Sequence, residues 1–269
     1  MSDSHVNSQA ARPADQVQPE RVAQLSGRFL TAQWRRLVMA NYRVDRLRIE
    51  PLVPQGVEID DFHGETFVSV VGFLFVRTRV LGLAIPWHCH FEELNLRFYV
   101  RRQVAGELRR GVVFVKEIVP RRAIAWTARL AYNENYVALP MSHEPPGWTV
   151  PSECGRVEYS WRVGDRWNRL SAEAHGPAKP LQPGSLEEFI AEHYWGYCRQ
   201  RDGGTVEYRV EHPRWNVWSP VTAELDCAVG EFYGREFVDV LSGTPDSALI
   251  ADGSAIAVGR PRRIRLTDE

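Results

Sequence analysis

Residues 87–122 read WHCHFEELNLRFYVRRQVAGELRRGVVFVKEIVPRR, and the fold of this chain is decided there. From Leu94 to Arg101 the residues Leu94, Leu96, Phe98 and Val100 alternate with Asn95, Arg97, Tyr99 and Arg101. That period of two predicts a strand of an antiparallel sheet, with one core face and one polar face that is either wet or lines a pocket. A turn at Ala105-Gly106 leads into a second strand over Gly111 to Val119. Around this pair lie His88, His90, Glu92, Glu93, Lys116, Glu117 and a terminal Pro120-Arg121-Arg122. Charges set among so many apolar residues must be paired or gathered in a pocket, because a buried unpaired charge costs several kcal/mol.

Working outward, Phe29 to Val44 reads as a strand and Asp45 to Leu52 as a short helix closed by Pro54 and Gly56. Residues 58–80 read as a hairpin turning at His63-Gly64, whose second arm is apolar enough to be buried on both faces. Downstream, Ala123 to Tyr132 has helical spacing, Tyr136 to Met141 reads as a strand, and residues 142–155, with Pro145, Pro146 and Pro151, as a loop. The alternation of Val157, Tyr159, Trp161 and Val163 predicts a strand, with a turn at Gly164-Asp165 into another over residues 166–175. Ser185 followed by Glu188 forms a capping box, from which a helix is expected through EFIAEHYWGYCRQ to Gly203-Gly204. A strand over Thr205 to Val210, an apolar segment near Phe232 to Leu241 and a hairpin turning at Asp252-Gly253 complete the chain.

The 269 residues are 44% hydrophobic, enough for a substantial core, and the net charge of -1 leaves no basic footprint for nucleic acid. No apolar run is long enough to cross a bilayer as a helix, and residues 1–26 are polar, without the apolar core of a secretory signal. These residues are expected to be a disordered or loosely docked tail ahead of a single domain over 27–269, in a cytoplasmic protein. Cys89, Cys154, Cys198 and Cys227 are widely spaced, so neither a zinc ribbon nor a disulfide framework is indicated. The only lysines are Lys116 and Lys179, which limits any lysine chemistry to two candidates.

Several short motifs together resemble the YqjF-like family of uncharacterised bacterial proteins. They are LVMANY at 37–42, LVPQG at 52–56, FVSVVGF at 67–73, FEELNLRFYVR at 91–101, GVVF at 111–114, the EFIAEHYWGY segment and VEHPRW at 210–215. That family is similar in fold to acetoacetate decarboxylase. The resemblance implies an α+β, β-rich chain: a curved antiparallel sheet closing into a cone or barrel, with flanking helices and a central pocket for a small organic acid or carbonyl compound. Relatives of the decarboxylase form a Schiff base through a lysine in a Pro-Lys-Lys motif, activated by the neighbouring cation. The comparable residues here are Pro120-Arg121-Arg122, and arginine stays protonated, so a true acetoacetate decarboxylase is not expected.

Lys116 is the candidate catalytic amine. Strict alternation puts it on one face with Val112, Phe114 and Ile118, against Val113, Val115, Glu117 and Val119; the alternative is an outward lysine paired with a carboxylate. Glu92, Glu93, Asn95, Arg97, Glu117, Arg121 and Arg122 are the candidate substrate-binding residues. Glu92 and Glu93 face opposite ways on an extended backbone, and Arg97 or Arg121 could grip a ligand carboxylate in a bidentate contact. A structural Arg-Glu pair is the competing reading, and with it a noncatalytic ligand-binding or interaction module. His88-x-His90 with Glu92 or Glu93 raises a metal-dependent barrel enzyme as a further alternative, but no diagnostic partner spacing follows, and neither a metal nor an organic cofactor is expected. A homo-oligomer is compatible with the resemblance, although no stretch marks an interface.

Overall fold

The structure is a computed structural model that describes residues 27–148 and 155–264. In chain order the elements used below are β1 (Arg28–Arg43), α1 (Arg46–Ile49), β2 (Phe67–Val80), β3 (Phe91–Val104), β4 (Glu107–Val119), α2 (Arg122–Tyr132), β5 (Tyr136–Ala138) and β6 (Met141–Glu144). Then come β7 (Arg156–Val163), β8 (Arg166–Glu173), α3 (Leu186–Ala191), β9 (Trp195–Arg199), β10 (Thr205–Glu211), β11 (Thr222–Asp226), α4 (Val229–Phe232), α5 (Val238–Leu241) and β12 (Ser247–Gly259). The expected N-terminal tail over 1–26, and Pro151 within the expected loop, lie outside the described residues.

Seven strands close into a barrel in the order β12-β1-β2-β3-β4-β9-β10, and β10 returns to β12 through Val210↔Val258 and Glu211↔Ala257. All the joints are antiparallel except β4 with β9, which pair in parallel only at Trp195↔Gly111 and Gly196↔Val112. Closure removes the open sheet edges that would otherwise invite pairing with other chains. A second sheet, β11-β8-β7-β6, packs on the outer face. Its Tyr159 and Trp161 are fully buried in one core with Leu94, Leu96 and Phe98, and the Tyr159 hydroxyl donates to Arg36 O at 2.8 Å. A second core fills the barrel interior, where Leu37, Met39, Phe73, Phe91 and Tyr99 meet α3 through Phe189 and Ile190. The polar face expected of β3 is therefore an interior face. Asn95 and Tyr99 are as buried as Leu94 and Phe98.

Five expectations need correction. The turn at His63-Gly64 forms, with Phe62 and Glu65 exchanging backbone hydrogen bonds around it, but residues 58–80 do not continue as a hairpin: Glu58 and Ile59 bond to Arg101 and Val100 of β3, while β2 lies between β1 and β3. A 14-residue apolar strand must bury both faces and both edges, and a two-residue arm cannot cover it. The helix after Ser185 stops at Ala191, and Trp195–Arg199 is strand β9, paired with β10 across the Gly203-Gly204 turn. Barrel closure overrides the helical spacing there. A Cβ on Gly196 would lie 2.2 Å from the Tyr208 ring, so this glycine lets the closing strand pass under that tyrosine. The capping box forms only in part, because Ser185 Oγ accepts from Glu188 N at 3.1 Å but the Glu188 carboxylate takes Gly184 N instead. Asp252-Gly253 is not a turn but the middle of β12. Gly253 sits at φ +88°, and a Cβ there would lie 2.1 Å from Trp34 O, so the glycine serves close approach between strands. Finally, residues 142–155 are not all loop, since β6 occupies Met141–Glu144, and the segment near Phe232 forms the short helices α4 and α5.

Candidate functional site

One irregularity in the β3-β4 pair selects the residues that face the interior. Leu96 pairs with Lys116, but the next residue, Arg97, pairs with Phe114, so Val115 is an extra residue in β4. A bulge of this kind reverses the face of everything beyond it. Phe114 and Glu117 consequently both point inward, against the strict alternation expected, and Lys116 turns outward.

The inward side chains line a chamber of about 200 Å³. Its walls are mostly apolar, with Trp34, Phe75, Phe91, Phe114, Ile124 and Val258, and exposed Ile85 and Ala123 form its rim with half-buried His88. Set into these walls are three carboxyl groups and two phenols. Glu93 comes from β3, Glu117 from β4, Glu134 from the link after α2, Tyr136 from β5 and Tyr208 from β10. Glu134 is delivered by the helix cap, where Asn133 takes the left-handed conformation (φ 60°) and turns the chain inward.

The Tyr136 hydroxyl donates to Glu93 Oε2 at 3.1 Å, and Asn95 Nδ2 approaches Glu93 Oε1 at 3.5 Å. The Tyr208 hydroxyl donates to Glu134 Oε1. Glu117 is 1% exposed and its Oε2 has no hydrogen-bond partner in the protein. No lysine or arginine lines the chamber among the described residues. Burial in such walls disfavours the ionised carboxylate, and a neighbouring carboxylate disfavours it further. Burial pushes Glu93 up to about 8, with the Glu134 charge adding to the shift and the Tyr136 bond opposing it. Burial, then the charges of Glu134 and Glu93, push Glu117 well above the carboxylate range. Burial raises Glu134 to about 7 against the bond from Tyr208. Near neutral pH the trio is thus largely protonated. Its members can donate hydrogen bonds as well as accept them, and Glu134 is poised between the two states.

Of the residues expected from sequence, the chamber gathers Glu93 and Glu117, with Asn95 buried beside Glu93. Glu92 faces the other way, as expected, and accepts from His143 Nδ1 at 2.7 Å between the barrel and the second sheet. Arg97 is inward but farther along β3, where Nη2 donates to Ile190 O at 3.4 Å and the guanidinium lies 5.6 Å from the Tyr99 ring centroid. Arg121 and Arg122 are exposed at the start of α2. Lys116 lies outside the barrel wall, its ammonium bonded to Phe232 O and 4.3 Å from the centre of that ring. Burial lowers its pKa, but it does not line the chamber. His88 bonds Pro86 O at the rim, His90 packs on Trp148, and no cluster of metal-ligating residues occurs among the described residues. Cys89 Sγ donates to Ile85 O. Sequence reading missed Glu134, Tyr136 and Tyr208. The one available signal was the polar trio Asn133-Glu134-Asn135, which breaks between a helix and a tyrosine-led strand.

Comparison with known proteins fits this architecture. Over 92–94% of both chains, the fold is similar to two solved structures: the enduracididine biosynthesis enzyme MppR complexed with pyruvate (TM-score 0.61, 14% identity, 92% of this chain and 94% of that one) and acetoacetate decarboxylase from Legionella pneumophila (TM-score 0.59, 12% identity, 94% and 93%). In sequence, YqjF of Bacillus subtilis strain 168, itself uncharacterised, is 26% identical over 203 residues, 73% of this chain and 76% of the relative. A family model matches residues 31–255. With most of its length inside that match, the chain belongs to the family DUF2071, described as an uncharacterized conserved protein.

Proposed function

We propose that the chamber binds a small, largely apolar carbonyl compound and moves a proton at it, without a covalent lysine adduct. One observation carries this reading: three buried carboxyl groups and two phenols face a single apolar chamber that no lysine or arginine lines among the described residues. The free carboxylate of an organic acid would meet no countercharge there and would be repelled by any ionised glutamate. A neutral carbonyl oxygen, by contrast, can accept from a protonated carboxyl or a phenol, which is how a buried acid stabilises a developing enolate. An ionised Glu134 would take the proton from the carbon next to the carbonyl, and a protonated Glu93 or Glu117 would hold the oxygen. Glu117 Oε2, buried without a partner, is the atom best placed to receive a ligand. The likeness in fold to an enzyme complexed with pyruvate supports a small carbonyl ligand, but pyruvate's carboxylate would find no cation among the described lining residues here, and the departure at Pro120-Arg121-Arg122 supports a ligand that forms no Schiff base.

The test is proton exchange. Small ketones and aldehydes, incubated with the protein in deuterated water, should gain deuterium beside the carbonyl at a rate that Glu134→Gln reduces by roughly 100-fold. Binding in a thermal-shift screen without exchange would instead favour a noncatalytic ligand carrier. A screen in which carboxylates bind and neutral carbonyls do not would overturn the reading.

A further inference from the structure

A second cleft, of about 230 Å³, lies behind the barrel wall and is lined by Val115, Asn133, Asn135, Cys198 and Arg199. Two residues, Glu134 and Phe114, line both this cleft and the chamber. Its position follows from a short joint of the barrel, the two-residue pairing of β4 with β9. On that edge β4 pairs with β9 at Gly111 and Val112 and with β5 from Glu117 onward, so residues 113–116 run between two ladders without a strand partner there. Polar side chains span the gap instead. Asn135 Nδ2 donates to Val115 O, Asn133 Nδ2 to Arg199 O, each at 3.0 Å, and Cys198 Sγ to Asn133 O at 3.3 Å. Asn135 and Arg199 are exposed, whereas Glu134 is buried, so the cleft leads from the surface to that carboxyl group.

We propose that this cleft is a rear entrance through which water exchanges protons with Glu134, so that the carboxyl trio is reset while the chamber mouth is filled by ligand. A window wide enough for water and lined by amides meets the requirement that buried water find two to four polar partners. The chamber side is the mouth that a ligand would fill, and most of its lining there is aromatic or aliphatic. The exchange balances by itself: Glu134 passes its proton to a cleft water and receives another from that water, with no net change of charge. The charges of Glu134 and Glu117 are also felt by the Cys198 thiol, whose pKa is pushed up first by burial and then by those two carboxylates. The idea deepens the proton-transfer reading of the chamber, but it is tested on Glu134 alone and needs no substrate.

The experiment follows the infrared carbonyl band of protonated Glu134, identified by its loss in Glu134→Gln, after a jump of the intact protein into deuterated water at mildly acidic pH. Asn135→Trp should plug the cleft and slow exchange by roughly tenfold or more, whereas Ala123→Trp at the chamber rim should change it by less than about twofold. If Asn135→Trp does not fold, Cys198→Met narrows the same cleft and is expected to slow exchange in the same direction. Slowing by the rim variant alone would overturn the proposal. So would an exchange rate that neither plug changes, singly or together. Failure of ketones to exchange deuterium, with the cleft result intact, would overturn the carbonyl reading and leave the entrance standing.

Discussion

Two groups of buried ionisable side chains sit at opposite ends of the β3-β4 pair, and they are built on opposite rules. At the Arg101-Arg110 end, Asp60 is 3% exposed and fully partnered: Arg110 Nε lies 2.7 Å from Oδ2, Arg101 Nη1 3.6 Å from Oδ1, and His193 Nε2 3.3 Å from Oδ2. Burial would raise its pKa, but the bonds from His193 and Arg110 outweigh it and hold the carboxyl below the usual range. At the Glu93-Glu117 end there are three carboxyl groups and, among the described residues lining the chamber, no lysine or arginine, and all three pKa values rise. The first group ties the short Glu58–Ile59 strand and the end of α3 to the barrel. The second is tolerated because it can stay protonated.

That contrast can be broken by substitution. Asp60→Ala should be the most damaging change, because it strips two arginines and a histidine of their common partner; a loss of about 3–5 kcal/mol in denaturant unfolding is expected. The opposite sign is expected at the chamber. Removing the trio in Glu93→Gln/Glu117→Gln/Glu134→Gln should stabilise the protein at pH 8, by on the order of 2 kcal/mol. The reason is linkage: a carboxyl whose folded pKa lies above its unfolded value contributes stability below the unfolded pKa and loses it as pH rises to the folded one. The wild type should therefore lose stability relative to the triple variant between about pH 4.5 and 8, as followed by chemical denaturation across that range. A difference that is flat with pH would refute the protonated trio.

The paired end has its own pH dependence. Burial holds His193 down to about 4, despite the bond to Asp60, so the stability tied to its neutral form is lost as pH falls from 6.5 through about 4. Its ring resonances should not titrate near neutrality in a nuclear magnetic resonance experiment. Gly196→Ala, which drives a methyl into the Tyr208 ring, should cost about 1–3 kcal/mol and loosen the Tyr208-Glu134 bond. The smallest effect is expected at Lys116→Met, outside the wall, where stability should change by less than about 1 kcal/mol and deuterium exchange into ketones not at all.

Much of this molecule is legible along the chain. The alternation in β3, the Ala105-Gly106 turn, the helix α2 and the β7-β8 hairpin follow from local periodicity and turn chemistry, which neighbours in sequence impose on one another. The motifs that resemble the YqjF-like family carried the barrel, and the charged cluster around Glu93 and Glu117 marked the strand pair that bears the chamber. What tertiary structure alone decided is which side of each strand is the inside. The extra residue at Val115 moves Lys116 out and Phe114 in, the joint at Gly196 turns an expected helix into the closing strand, and closure brings Tyr208 and Glu134, 74 residues apart, to one bond. None of these has a local signal, because a bulge, a seam and a contact across a barrel are chosen by the packing of strands distant in sequence, and only once the sheet has closed.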